Sequence, residues 1–392
     1  MTKMYRTFLG LALCCITLVS YGQNDSAQKN TFKLVRFEMN AGYGSNHLTG
    51  TAVLPFAFKS GVDSKDIENS STFIFNRNRT GTASHIETKF EAGKHEFSLG
   101  YYSTLGASYS KNTFQLIFEG NAPFAGKKMD LKVNAKQLSY GKASYSLGRW
   151  KSRLSTKKQS LVYKHHVSLY GITKYARVQT NGANSLLTSE SGIDVEGDLD
   201  YQYQANNQTE FKGAGLGIGT YAYSRNGASA KILRIENLGV GFIKGNEQVF
   251  SKDTAWTYSG LNFTLGAQQN FSSVGDSINA LLYDETRSDA RIILLPVHIS
   301  YDIQTPKKNY GINYTAMPGY LPQLHYVRKF FTPKNNTYGI GVKAGGWGLL
   351  NSYLQYNQFL KKDGHSLQLQ MTGIESLLLP YPSFALKMRI DL

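Results

Sequence analysis

Cysteine occurs only at Cys14 and Cys15, and proline at just 9 of 392 positions. If the opening segment is cleaved, no thiol remains. That excludes a disulfide scaffold, Cys-ligated zinc and a cysteine nucleophile. Charged residues make up only 18% of the chain while 41% is hydrophobic, a balance unsuited to disorder. Beyond the first residues, no apolar run approaches the ~20 residues of a helical membrane span. No Gly-x-Gly-x-x-Gly opens a helix and no Walker sequence occurs, so nucleotide binding has no support.

The opening residues predict export. Lys3 and Arg6 form a positive start, Phe8 to Val19 an apolar stretch, and Ser20-Tyr21-Gly22 a small-x-small cleavage site. A lipoprotein would need a small residue before its modified cysteine, but Leu13 precedes Cys14. The expected organisation is a signal peptide over 1–22, then one body over 23–392 that begins with a polar lead-in. The formal net charge is +16, yet Lys and Arg are scattered rather than gathered in a tract. For an exported chain this favours acidic lipid headgroups and lipopolysaccharide over nucleic acid as partners.

Within that body the recurrent period is two. Ile193, Val195, Gly197, Leu199, Tyr201 and Tyr203 alternate with Asp194, Glu196, Asp198, Asp200, Gln202 and Gln204. Successive strand side chains point to opposite faces, so this segment divides an apolar from a polar medium. Met129, Leu131, Val133 and Ala135 alternate in the same way with Asp130, Lys132, Asn134 and Lys136. The C-terminal segment sets Phe384, Leu386, Met388, Ile390 and Leu392 against Ala385, Lys387, Arg389 and Asp391. A soluble sandwich could place one such strand at an edge, whereas a transmembrane barrel requires the pattern everywhere. The fold class is therefore all-β, a transmembrane antiparallel β-barrel. Its last strand should close on the first, within Phe32 to Tyr43, leaving no unpaired backbone in hydrocarbon.

At roughly 10 residues per tilted crossing plus turns, the length supports 12 to 18 strands, with 14 the single expectation. The alternation places strands near 113–119, 127–136, 138–150, 160–170, 172–179 and 382–392, among others, and a longer loop at 267–290. Gly213, Gly215, Gly217 and Gly219 alternate with Ala214, Leu216, Ile218 and Thr220. In a barrel wall such a row relieves curvature or leaves room in the lumen. Tyr101, Tyr102, Tyr201, Tyr203, Tyr221 and Tyr223 are expected at the headgroup layer, and Trp256 and Trp347 as interface anchors.

The segment Asn237-Leu-Gly-Val-Gly-Phe-Ile243, with Tyr258-Ser-Gly260, Asp276-Ser-Ile278 and Leu294-Leu-Pro-Val-His-Ile-Ser-Tyr-Asp302, resembles the central signature of an uncharacterised Bacteroidota outer-membrane β-barrel family. The resemblance spans about 190–390 and is weaker before that. It implies an outer-membrane location and a distant relation to long-chain fatty-acid transporters and secretion-accessory barrels. No substrate or partner motif of those groups is matched. Leu392 departs from the aromatic terminus common in such barrels.

His166-Val-Ser168 and His298-Ile-Ser300 place an imidazole and a hydroxyl on one strand face, the ingredients of acyl transfer. Val167, Leu169, Val297 and Ile299 are the better lipid-facing residues, which turns both His/Ser pairs into the lumen. No catalytic residue, cofactor site or metal site is therefore assigned, and the chain is expected not to be an enzyme. His47, His85 and His95 form no metal grouping. The acidic row Asp194, Glu196, Asp198 and Asp200 is too extended for its members to share one ion. It is expected to contribute to lumen electrostatics opposite Lys132, Lys136, Lys387 and Arg389. The leading expectation is a porin-like barrel passing small solutes or hydrophobic molecules. The alternative is a structural or accessory subunit of a secretion or envelope-assembly complex, with an envelope protein partner. A barrel acyl hydrolase ranks third.

Overall fold

The computed structural model describes residues 33–46, 75–92, 95–119, 124–151, 159–188, 193–202, 213–226, 229–251, 285–305, 309–316, 322–332, 336–346, 350–359, 365–373 and 383–392. They form one 17-stranded sheet and one helix. The first strands are β1 (Lys33–Ser45), β2 (Arg77–Ala92) and β3 (His95–Ser110), followed by helix α1 (Lys111–Glu119). Next come β4 (Lys128–Asp130), β5 (Val133–Lys151), β6 (Gln159–Thr188), β7 (Ile193–Gln202), β8 (Gly213–Asn226) and β9 (Ser229–Ser251). The remainder are β10 (Glu285–Leu294), β11 (Val297–Gln304), β12 (Asn309–Ala316), β13 (Gln323–Phe331), β14 (Thr337–Gly345), β15 (Leu350–Phe359), β16 (Ser366–Thr372) and β17 (Ser383–Asp391).

Every pairing is antiparallel, and the sheet closes on itself. β17 pairs with β1 from Arg36↔Asp391 to Gly44↔Ser383. Leu392 N then donates to Val35 O at 3.0 Å. Three short segments extend other strands along a shared neighbour: β4 continues β5 and β7 continues β8, both beside β6, while β10 continues β11 beside β9. The 17 segments thus make a closed wall of 14 strands, as the length and alternation predict.

The two faces separate as their chemistry requires. Ile292, Leu294, Leu216 and Leu169 are 76%, 71%, 64% and 62% exposed on the outer surface. Glu87, Ser98, Lys142, Ser168, Ser300 and Asp302 are buried on the inner one. In water such an outside would be a large aggregating patch; against hydrocarbon it is the favourable arrangement. On β17 only Leu386 of the apolar set exceeds 40% exposure, while Lys387 lines the interior.

The wall is uneven in height. β6 runs for 30 residues and β16 for 7, against the ~9–11 that a tilted crossing needs. β4, β7, β10 and the second half of β6 belong to the taller side, away from the end that carries Lys33 and Leu392. At the end carrying Lys33 and Leu392, Ala92 pairs with His95 and Asn226 with Ser229, each pair separated by two residues in sequence.

Some segments differ from the sequence expectation. Residues 113–119, expected as a strand, lie in α1, because a short apolar run does not by itself distinguish the two periods. Ser110 provides the helix cap: its Oγ accepts from Thr113 N at 3.2 Å. Phe114 is 1% exposed and stacks against Tyr109. Segments 160–170 and 172–179 form one strand, β6, and 285–290 of the expected loop belongs to β10. The signal segment, Trp256, Trp347 and most of the 267–290 loop lie outside the described residues.

One irregularity shapes the interior. Asn237, at φ 60°, is an extra residue in β9, where the register to β8 shifts between Ile218 and Thr220. Asn tolerates this left-handed backbone better than most residues. The shift lets both Glu236 and Asn237 face inward while Leu238, Val240 and Phe242 stay outside. Beside it, the chain breaks between β10 and β11 at Leu295-Pro296, and Leu295 N donates to Gly239 O at 3.1 Å. Pro cannot serve in a continuous ladder, and across the break the inward parity passes from Ile293 and Leu295 to His298 and Ser300.

Candidate functional site: the charged lumen

The barrel encloses a cavity of about 410 Å³, lined from β1–β3, β5, β9 and β11–β17. Among the described residues seven basic side chains line it: Arg36, Lys89, Arg234, Lys329, Lys343, Lys387 and Arg389. Four carboxylates do so, Glu38, Glu87, Glu236 and Asp302.

Four carboxylates are each shared by two basic groups from different strands. Glu38 Oε1 lies 2.7 Å from Lys387 Nζ and 2.9 Å from His85 Nε2. Asp302 takes Lys329 Nζ at 2.7 Å and Arg234 Nη1 at 3.1 Å. Asp391 takes Arg36 Nε at 2.6 Å and Arg389 Nε at 2.9 Å. Glu87 lies between Lys142 and Lys89, at 3.4 and 3.5 Å, and also accepts from the Tyr102 hydroxyl. A carboxylate neutralises only one full cation, so the Asp302 and Asp391 groups each retain positive charge, whereas Glu236 lies beside the Lys89 and Lys142 of the Glu87 group. Such pairs add little net stability, but removing one partner strands a desolvated charge.

An aromatic row runs along the inner wall from β2 to β6 beside these charges. His85 stacks on Tyr102 at 5.1 Å, Tyr102 on Tyr140 at 5.0 Å, and Tyr140 meets Tyr170 edge-on at 5.6 Å. Tyr170 OH donates to Asn237 Oδ1 at 3.3 Å. Leu138, Tyr140, Tyr170, Ile172, Ile243 and Leu295 form an apolar core inside the wall. The glycine row makes room for it. A Cβ on Gly217 would sit 2.8 Å from the Tyr170 ring and hydroxyl, and one on Gly219 would collide with His166.

The sequence candidates fall into distinct places. Lys387 and Arg389 line the cavity, with Glu38 and Asp391 as their carboxylate partners. Lys136 pairs in register with Arg177 and shares the inner-face parity of Leu138 and Tyr140, but it is not part of the cavity lining. Lys132 is corrected: it lies in the break between β4 and β5, with its ammonium 2.9 Å from Asp130 and its side chain 64% exposed. The backbone of Asp194, Glu196, Asp198 and Asp200 lies in β7, beside the second half of β6 and in the taller part of the wall. The register thus sets this row toward the end opposite the termini, whereas Lys387 and Arg389 lie close to the C-terminus. Tyr102 is also corrected, from the headgroup layer to the lumen. Tyr221 likewise turns toward Arg234, which lies over its ring at 5.6 Å.

His166, Ser168, His298 and Ser300 face inward as the alternation predicts, while Val167 and Leu169 are exposed outside. Ser168 Oγ lies 2.8 Å from Ser144 Oγ. The inward Tyr102, Tyr140 and Tyr170 were legible from parity, since each shares a face with Ser98, Lys142 or Ser168.

A closed wall with an apolar exterior and a charged interior defines a barrel of the outer-membrane type. The chain is similar to the outer membrane protease OmpT from Escherichia coli at 6% identity, over 93% of this chain and 97% of that one, with a TM-score of 0.19. No family model and no curated protein matches it. The expectation that the chain is not an enzyme is withdrawn, since OmpT is an outer membrane protease. The likeness concerns the fold and assigns no catalytic residue here.

Proposed function

We propose that the protein resides in a bacterial outer membrane, in the Bacteroidota family that Asn237–Ile243 resembles, and conducts small polar solutes through its lumen. The observation that carries this reading is the 410 Å³ charged cavity inside a wall whose outside is apolar. Interior charges are costly in a barrel core unless water or a solute reaches them, and pores of this class are lined in this way. Outer-membrane barrels carry short turns on the periplasmic side. The short connections after Ala92 and Asn226 support an orientation with the Arg36–Asp391 group on the periplasmic side.

The apolar core around Tyr140 and Ile172 narrows the lumen and favours a second reading, an accessory subunit of an envelope complex. Planar-bilayer recording on the purified chain separates the two. The conduit reading expects discrete conductance steps. A folded but electrically silent barrel overturns it in favour of the accessory role.

A further inference from the structure

We propose that the lumen holds a binding site for small oxyanions, carboxylate or phosphate, on the arc of wall from β12 to β17; the inference deepens the conduit reading and rests on it. Among the described residues, the carboxylates that line the cavity come from β1, β2, β9 and β11, and the arc from β12 to β17 adds only Asp391, at the end of β17 and already shared by Arg36 and Arg389. Lys329, Lys343, Lys387 and Arg389 stand on that arc, with His325 and neutral amides such as Gln368 and Gln370 between them.

The register makes the arc continuous. His325 faces Lys343 across β13–β14, Gln370 faces Lys387 across β16–β17, and Gln368 faces Arg389. Amide N–H and ammonium groups therefore alternate along one side of the cavity, an arrangement of donors suited to oxyanion oxygens. The carboxylates do not cancel it. Asp302 is shared by Lys329 and Arg234, and Asp391 by Arg36 and Arg389, so an incoming anion meets retained positive charge. At the boundary between the arcs, buried His298 Nε2 lines the same cavity with no hydrogen-bond partner. A volume of about 410 Å³ suits a metabolite-sized anion rather than a polymer.

The test is calorimetric titration of the refolded full chain in detergent with sodium phosphate and with sodium succinate, using sodium chloride as the ionic-strength control. Saturable binding of either oxyanion is expected, and which one binds identifies the source chemistry. Lys343→Gln and Lys387→Gln should each weaken it about tenfold or more, and Lys343→Arg should restore most of it. The unheated gel mobility of each variant reports whether the barrel has formed. No saturable heat with either anion overturns the site, as does unchanged affinity in both folded Gln variants. Binding is read without a membrane, so a silent bilayer with intact binding defeats the conduit alone. Conductance without anion binding defeats the site alone.

Discussion

Asp302→Ala should lower the stability of the folded barrel by about 2–4 kcal/mol. The figure is drawn from the cost of breaking a buried ion pair, reduced for water in the lumen. Asp302 is 6% exposed and is the shared partner of Lys329 and Arg234. Its Oδ1 lies over Gly311, where an added Cβ would approach to 2.5 Å. Without the carboxylate, two cations face each other in a narrow lumen. Arg234 is the better placed of the two, being 34% exposed and lying over the Tyr221 ring. Lys329, at 17%, has less solvent to turn to. Adding Lys329→Met to Asp302→Ala should recover a large part of the loss, because it removes the stranded charge. The check is the urea midpoint of the shift between folded and unfolded gel forms. A midpoint unchanged in the single variant would mean that water, not Asp302, solvates these cations.

Leu216→Lys should be as damaging, for the opposite reason. Leu216 is 64% exposed and flanked in register by Leu169 and Val240, which are also exposed. On a water-soluble protein, adding a charge to so open a position changes stability by only ~0.5 kcal/mol or less. On a lipid face near mid-bilayer the same charge costs about 2–4 kcal/mol. The variant should therefore refold poorly into lipid vesicles, with its folding midpoint displaced by that amount. Gln370→Glu, which puts a charge on the inner face opposite Lys387, should refold like the parent. Equal behaviour of the two variants would contradict the assignment of faces.

Much of the wall was legible because each strand lies between two media and the side-chain period is strictly two. The alternation of Leu386 and Lys387 in the last strand, and of Leu169 and Ser168 in β6, needs no knowledge of neighbours to be read. Closure of β17 on β1 follows from the same pattern, since no edge can remain open in hydrocarbon.

The site was less legible because it depends on register. Glu38 meets Lys387, and Arg36 meets Asp391, only after the barrel closes and sets which residue lies opposite which. Nothing local in either segment announces the partner. The inward turn of Tyr102 could have been read from its parity with Ser98, but its aromatic character pointed to the headgroup layer instead. Asn237 is a third kind of case. It belongs to a recognisable segment, yet its role as the extra residue shows only in the shifted pairing with β8.

The central claim is that alternate residues of one strand meet lipid and water. With no cysteine beyond Cys14 and Cys15, single nitroxide labels can be placed at 385, 386, 387 and 388 in the vesicle-refolded chain. Collision rates with membrane-dissolved oxygen and with a water-soluble nickel chelate measure the medium at each site. The account predicts oxygen-dominated collisions at 386 and 388 and chelate-dominated collisions at 385 and 387. Four labels reporting the same medium would contradict it.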